Sequence, residues 1–276
     1  MITLTCVVED RAIPPFKNEH GLSILIESPA GKVLFDTGSS GSALLHNLRY
    51  LKRDPAELDA VVLSHAHQDH TGGLLTLLPY LPPGTPLYAH PMLFAGHYSD
   101  HGQGPEHTDL QTPTVQALAQ VTLRLSKQPQ EIVPGIWTTG EITERPYPEG
   151  RSTHHTMLVD GKHVPEPYAD DLSLVVESSQ GLFLLCGCCH AGLRNTLAHV
   201  RCHWKPPVIG FGGGTHLLGA SPERIRQTVE ALTAARGPEM VWLGHCSGVS
   251  FIRAMQSAVG EEHFRRCSIG TEIQLA

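Results

Sequence analysis

Ser64-His65-Ala66-His67-Gln68-Asp69-His70-Thr71-Gly72-Gly73 is the stretch on which the reading of this chain turns. Three imidazoles and a carboxylate stand close together, and the apolar run Ala60-Val61-Val62-Leu63 leads straight into them. These are the donors that surround borderline divalent ions such as zinc. On one regular helix His67 and His70 would share a side while the complete set diverged. On a strand-to-helix turn, alternate ligands instead face two neighbouring ions, and Gly72 and Gly73 let the following backbone pass close to them. A polar, histidine-rich turn that picks up metal adventitiously accounts less well for His-x-His-x-Asp-His placed directly after an apolar strand.

Toward the N-terminus, residues 2–8, 23–28 and 32–35 are short, rich in Ile, Val or Leu, and bounded by Gly, Pro or charge, which predicts strands. Asp36-Thr37-Gly38 follows the third. Residues 42–51 predict a helix with Leu44, Leu45, Leu48 and Leu51 on one side. Beyond the central motif, residues 74–78 predict a helix stopped by Pro79, and 86–89 a strand. Residues 97–114 are polar and predict a long loop, while 129–167, punctuated by Pro and Gly, predict a lid or substrate wall.

The second half predicts a hairpin, 172–177 with 182–185, about Ser178-Ser179-Gln180-Gly181. It opens into Cys186-Gly187-Cys188-Cys189-His190-Ala191-Gly192 and a helix over 193–200. Ser221-Pro222-Glu223 caps a further helix with Ile225, Val229 and Leu232 on one face. Residues 240–243 predict a last core strand, ending at Gly244-His245-Cys246. Histidines therefore recur where strands end, a place from which ligands converge while the strands stay packed beneath.

Composition bounds the rest. The chain has 276 residues, 41% of them hydrophobic, enough for a sizeable core and against wholesale disorder. Its net charge of −7 argues against a general nucleic-acid coat, so nucleic acid is an unexpected partner. The opening MITLTCVVED lacks the pattern of a secretory signal, and no run approaches the roughly eighteen apolar residues of a membrane span, so a soluble, cytoplasmic protein is expected. Seven cysteines, an odd number in a chain that needs no disulfides to supply a core, fit reduced thiols. Eighteen histidines nearly match the twenty Lys plus Arg, which is unusual.

The central motif, Asp36-Thr37-Gly38, a later His-bearing strand end and His245 together resemble the metallo-beta-lactamase fold superfamily over nearly the whole chain. Within it, Gly187-Cys188-Cys189-His190-Ala191-Gly192, Gly213-Gly214-Thr215-His216-Leu217 and His245-Cys246-Ser247-Gly248 resemble a narrower branch, named for 7,8-dihydropterin-6-methyl-4-(beta-D-ribofuranosyl)-aminobenzene-5'-phosphate synthase. The resemblance implies an α/β fold, a four-layer αβ/βα sandwich with the site at one rim, in a single catalytic domain over 1–276. It implies two divalent metal ions, zinc first, with iron or manganese and single-metal occupancy as alternatives. His65, His67 and His190 resemble the ligands of one ion; Asp69, His70 and His245 resemble those of the other. The family's pattern also has an acidic bridging ligand about where Cys188 stands, and residues 186–192 contain no carboxylate.

Two readings stand for Cys188: a thiolate ligand, which zinc accepts, or packing in the turn. Asp171 is either a direct or outer contact of the metal or an ordinary loop carboxylate. Cys186, Cys189 and Cys246 read as structural. Asp36 is expected to hydrogen-bond the backbone around His65 or a ligating imidazole, fixing its tautomer. Two divalent cations with one carboxylate and one hydroxide leave a positive centre, which suits an anionic small-molecule substrate. Metal coordination lowers a water pKa from about 15.7 to roughly 7, giving a nucleophile that Asp69 would orient. His216, or one of His97, His101 and His107, would protonate the leaving group. Hydrolysis of an ester or phosphoester is the leading expectation. Pterin-linked synthase chemistry, iron-dependent redox chemistry and a catalytically weak metal-containing sensor are the alternatives, and a homo-oligomer stays open. The glycines of 210–217 lack a phosphate-loop ending and read as a close-packed rim around His216.

Overall fold

A computed structural model describes residues 1–234 and 237–276. Among them the strands form three sheets. From edge to edge, the first is Glu272–Leu275, Ile2–Val8, Ser23–Ser28, Gly31–Phe35, Ala60–Val62, Pro86–Ala89 and Thr122–Leu125. The second is Phe264–Arg266, Met240–Leu243, Val208–Gly213, Gly181–Cys186, Ser173–Ser178, Ile136–Thr138 and Glu131–Val133. Each joins an antiparallel group to a parallel one. In the first the change comes at Gly31–Phe35, in the second at Gly181–Cys186.

Alternation along the strands explains why these sheets stack. In Ser23–Ser28, Ile24 and Ile26 enter the core between the two sheets, while Leu25 enters a separate core outside. Val33 and Phe35 divide from Leu34 in the same way, as do Phe183 and Leu185 from Leu182 and Leu184. The helix Ser42–Tyr50 covers the first sheet with Leu44 and Leu48, one turn apart. Leu193–His203, Pro222–Thr233 and Val249–Val259 cover the second with Leu193, Leu197, Ile225, Phe251 and Met255. Ser221 caps its helix, its Oγ accepting from the Arg224 backbone N–H at 3.2 Å. Three apolar cores thus separate four layers, helix, sheet, sheet, helix.

One expectation is corrected here. Residues 97–114 are not one loop: His97–Ser99 and Glu106–His107 are strands and Thr112–Ala117 is a helix. Of 129–167, the first part joins the second main sheet, while His155–Val159 pairs with Lys162–Pro165 on one side and with His97–Ser99 on the other, and Glu106–His107 completes a third, four-stranded sheet beyond His97–Ser99. Strands of two or three residues show no alternation, and the pairing that joins the two hairpins, His97–Ser99 with His155–Val159, links segments far apart in the chain. The edge strand Phe264–Arg266 is as short, and Glu272–Leu275, although Ile273 and Leu275 alternate inward, is only four residues long and pairs with the far end of the chain.

The parallel strands Ala60–Val62, Gly181–Cys186, Val208–Gly213 and Met240–Leu243 deliver their C-terminal ends to one rim. Open α/β sheets place their ligand sites outside such ends.

Candidate metal centre

The floor of the rim is Asp36, left-handed at φ 61 just past its strand. Its Oδ1 accepts from the Ser64 N–H at 2.7 Å, and its Oδ2 accepts both from Ser64 Oγ and from Nδ1 of His70, each at 2.7 Å. Thr37 adds a backbone N–H at 2.8 Å and its hydroxyl at 3.0 Å to the His70 carbonyl. A Cβ on Gly72 or Gly73 would run into the carbonyls of Ser39 and Thr37. The close approach that these glycines permit is therefore to the Asp36 turn rather than to the ions.

These contacts fix tautomers. Ser64 gives its hydroxyl proton to Asp36, so it accepts from Nδ1–H of His65 at 2.8 Å and leaves His65 Nε2 a lone pair. Asp36 does the same for His70 directly. The Gly150 carbonyl, 3.0 Å from Nδ1 of His190, does so for His190. Such outer contacts orient ligands at metal sites.

The freed atoms gather into two groups, each with its ligand atoms within 4.8 Å of one another: His65, His67 and His190, and Asp69, His70, Cys188 and His245. His65 Nε2 and His67 Nδ1 stand 3.1 Å apart. In the second group Asp69 Oδ2 lies 3.4 Å from His70 Nε2 and 3.3 Å from His245 Nε2, and Cys188 Sγ lies 3.2 Å from His70 Nε2. His190 Nε2 and both ring nitrogens of His245 are buried without a hydrogen-bond partner. Buried polar atoms are ordinarily paired, so orphaned imidazole nitrogens pointing into a cluster of donors fit divalent cations.

Electrostatics divides the groups. Burial, reinforced by neighbouring imidazoles, holds His65, His67 and His190 well below the usual histidine range, so each is neutral and keeps a lone pair at neutral pH. Burial acts the same way on His70, but Asp69 and Asp36 outweigh it and hold the ring up at about 9. Burial is likewise outweighed at His245, raised by Cys246, Asp10 and Asp69. A carboxylate between two such rings is a place where a divalent cation would displace protons.

The remaining candidates lie around these groups. Asp171 stands in neither; its Oδ2 accepts from the Ala191 N–H at 2.9 Å and supports the His190 turn, and burial pushes its carboxyl up to about 7. His216 is half-buried at φ 48, its ring 4.3 Å from that of His190. Cys186 and Cys189 pack in the core outside the second sheet, and Cys246 Sγ accepts from the His216 N–H at 3.2 Å. His97 is corrected as a proton donor: both its nitrogens are engaged, Nδ1 with Glu166 at 2.9 Å and Nε2 with the Met92 carbonyl at 2.9 Å, in a buried cluster with Asp170. His107 is exposed on the small sheet against Tyr98, and His101 is exposed in the connection before it, against Ser99.

Several neighbours escaped the sequence reading. His20 bridges Asp10 (2.9 Å) and Asp69 (3.4 Å) at the mouth of the second group, and Asp10 Oδ2 stands 3.4 Å from Nδ1 of His245. Glu9, fully buried, accepts from the His245 N–H at 2.7 Å. Glu9-Asp10 at the end of the first strand was the available signal. His155, from the 129–167 segment, and Tyr168, just beyond it, reach His67 and His190, with no neighbouring pattern to mark them.

Residues 17–165 match the family described as Metallo-beta-lactamase superfamily. A Methanocaldococcus jannaschii protein named 7,8-dihydropterin-6-methyl-4-(beta-D-ribofuranosyl)-aminobenzene-5'-phosphate synthase is 30% identical over 244 residues, 85% of this chain and 83% of that protein. Among solved structures, Tm1679, described as a metal-dependent hydrolase of the beta-lactamase superfamily, superposes with a TM-score of 0.85 at 25% identity over the whole of both chains. Zn(2+)-bound PqqB from Methylobacterium extorquens shares the fold, with a TM-score of 0.61 at 13% identity over 99% of this chain and all of that one.

Proposed function

This chain belongs to the metallo-beta-lactamase superfamily, and from that membership we propose that it is a metal-dependent hydrolase of an ester or phosphoester in a small anionic substrate. The observation that carries the reading is the pair of donor groups whose lone pairs are aimed inward by Asp36, Ser64 and Gly150. His65, His67 and His190 would hold one divalent cation; Asp69, His70, His245 and Cys188 would hold a second. Imidazole with thiolate favours zinc over harder ions. Cations there would supply a water made nucleophilic near neutral pH and relief for charge building on the substrate oxygen.

The chain's own groups do the rest. Asp69 Oδ1 makes no hydrogen bond among the described residues and would accept the proton of the attacking water. His216, half-exposed beside His190, would give a proton to the leaving group. A second reading, synthase chemistry on a pterin-linked substrate, draws support from the name of the M. jannaschii relative.

The test is metal analysis of the purified protein with turnover of bis(p-nitrophenyl) phosphate and of a p-nitrophenyl ester. Two equivalents of zinc and turnover abolished by chelation are expected. Loss of at least about a hundredfold in rate is expected for His67→Ala and Asp69→Asn with the circular dichroism spectrum kept. Undiminished turnover by the verified metal-free protein would refute the proposal. Cys188→Ser should weaken zinc binding at the second group; unchanged stoichiometry and affinity would remove Cys188 from the ligand set.

A further inference from the structure

Tyr168 is buried, and its hydroxyl accepts from the Ser152 backbone N–H at 3.1 Å while lying 2.9 Å from Nδ1 of His155. The phenol has one proton. Among the described residues nothing else within hydrogen-bond reach accepts it, so it goes to Nδ1. The opposite arrangement, Nδ1–H donating to the oxygen, would leave the phenol proton stranded in a buried place, which is costly. A neutral His155 therefore carries its own proton on Nε2.

This matters because of where the ring sits. Its centroid is 4.6 Å from that of His67 and 5.8 Å from that of His190, close enough to be counted with the ligands. Yet its one lone pair is already engaged by Tyr168. The proton-bearing Nε2 has no partner among the described residues and is not fully buried, so it is open to a ligand, on a ring packed against His67 of the His65, His67 and His190 group.

Tyr168 is held for this task. Its backbone is left-handed at φ 51, and its ring lies flat on His190, with centroids 4.3 Å apart and planes 7° apart. Arg145 commits its guanidinium to the carbonyls of Ile142 (2.7 Å), Pro167 (2.6 Å) and Tyr168 (2.7 Å), and Glu166 Oε1 accepts from the Tyr168 N–H at 3.3 Å. A left-handed non-glycine residue costs about 1–3 kcal/mol and persists only where its surroundings over-determine it.

We infer that His155 is not a metal ligand but a fixed Nε2–H donor to an anionic oxygen of the ligand, phosphoryl or carboxylate, bound beside the His65, His67 and His190 group, with Tyr168 as the positioning residue that sets its tautomer. The inference rests on the hydrolase reading only for the place of that ligand.

Zinc-loaded protein provides the test. Long-range 1H–15N correlation spectra should show His155 as the Nε2–H tautomer, and Tyr168→Phe should convert it to a mixture. His155→Ala should keep the wild-type zinc stoichiometry, and loss of an equivalent would overturn the inference. Inorganic phosphate or acetate, measured calorimetrically, should bind about ten- to a hundredfold more weakly to His155→Ala, with His155→Gln recovering part through its side-chain N–H. Weakening of phosphate alone assigns a phosphoryl oxygen, and weakening of acetate alone a carboxylate. Unchanged affinity for both, or an Nδ1–H tautomer, would also overturn it. Absence of turnover with His155-dependent anion binding would sink the hydrolase reading alone; turnover with His155-independent binding would sink this inference alone.

Discussion

Asp36 touches no candidate metal position, yet it sets two ligands at once, His70 directly and His65 through Ser64. Replacing it by Asn would turn an acceptor into an N–H at one of those contacts and leave an imidazole free to choose the wrong tautomer. Asp36→Asn is therefore expected to weaken zinc binding by about 10- to 100-fold with the fold retained, as read by competition with a chromophoric chelator. An affinity equal to wild type would remove Asp36 from this role. At this scale the sequence was informative where donors are neighbours: His65, His67, Asp69 and His70 lie along one turn, and a chain of alternating donors after a strand has little other use. It was silent about His20, His155 and Tyr168, whose partners are remote in the chain. Residue type alone does not set His20 and His155 apart from the other histidines, or Tyr168 from the other tyrosines.

The elements meet at the His97, Glu166 and Asp170 cluster, where the small sheet is tied to the ligand turn. Asp170 Oδ2 accepts from the Ala66 N–H at 2.8 Å, between His65 and His67, and His97 faces Asp170 at 4.0 Å. With a Glu166 carboxyl oxygen on one nitrogen and the Met92 carbonyl on the other, both ring nitrogens of His97 face acceptors, an arrangement that suits the cation. Burial alone would lower its pKa from 6.5, but Glu166 and Asp170 outweigh it and hold it at about 9. A raised histidine stabilises the fold fully below its unfolded pKa, and that contribution fades as pH rises through the folded value. His97→Gln should therefore destabilise the protein by up to about 3 kcal/mol near pH 6 and by much less near pH 10, in urea titrations at both. A pH-independent difference would contradict the assignment. The sequence of 97–114 reads as a loop because two- and three-residue strands carry no period to recognise. What defines them is a pairing between His97–Ser99 and His155–Val159 that no local window contains.

For the molecule as a whole, stability and chemistry are housed separately. Ile273 and Leu275, on the edge strand Glu272–Leu275, are buried in the core between the sheets, remote from the rim. Ile273→Ala should cost about 2–5 kcal/mol in denaturant unfolding while zinc stoichiometry stays at the wild-type value; a fall in both would mean the rim depends on that edge. The layered architecture was legible because its long strands alternate cleanly between two cores. Edge strands and the third sheet were not, since they are short and are defined by pairing with segments outside any local window. One consequence follows from the origin of the ligands. His65, His67, Asp69 and His70 come from the first sheet, whereas Cys188, His190 and His245 come from the second. Any cation held by either group would thus clasp the two leaves of the sandwich. Chelation should then lower the melting temperature, and amide exchange should quicken first along the seam between the leaves rather than within either one.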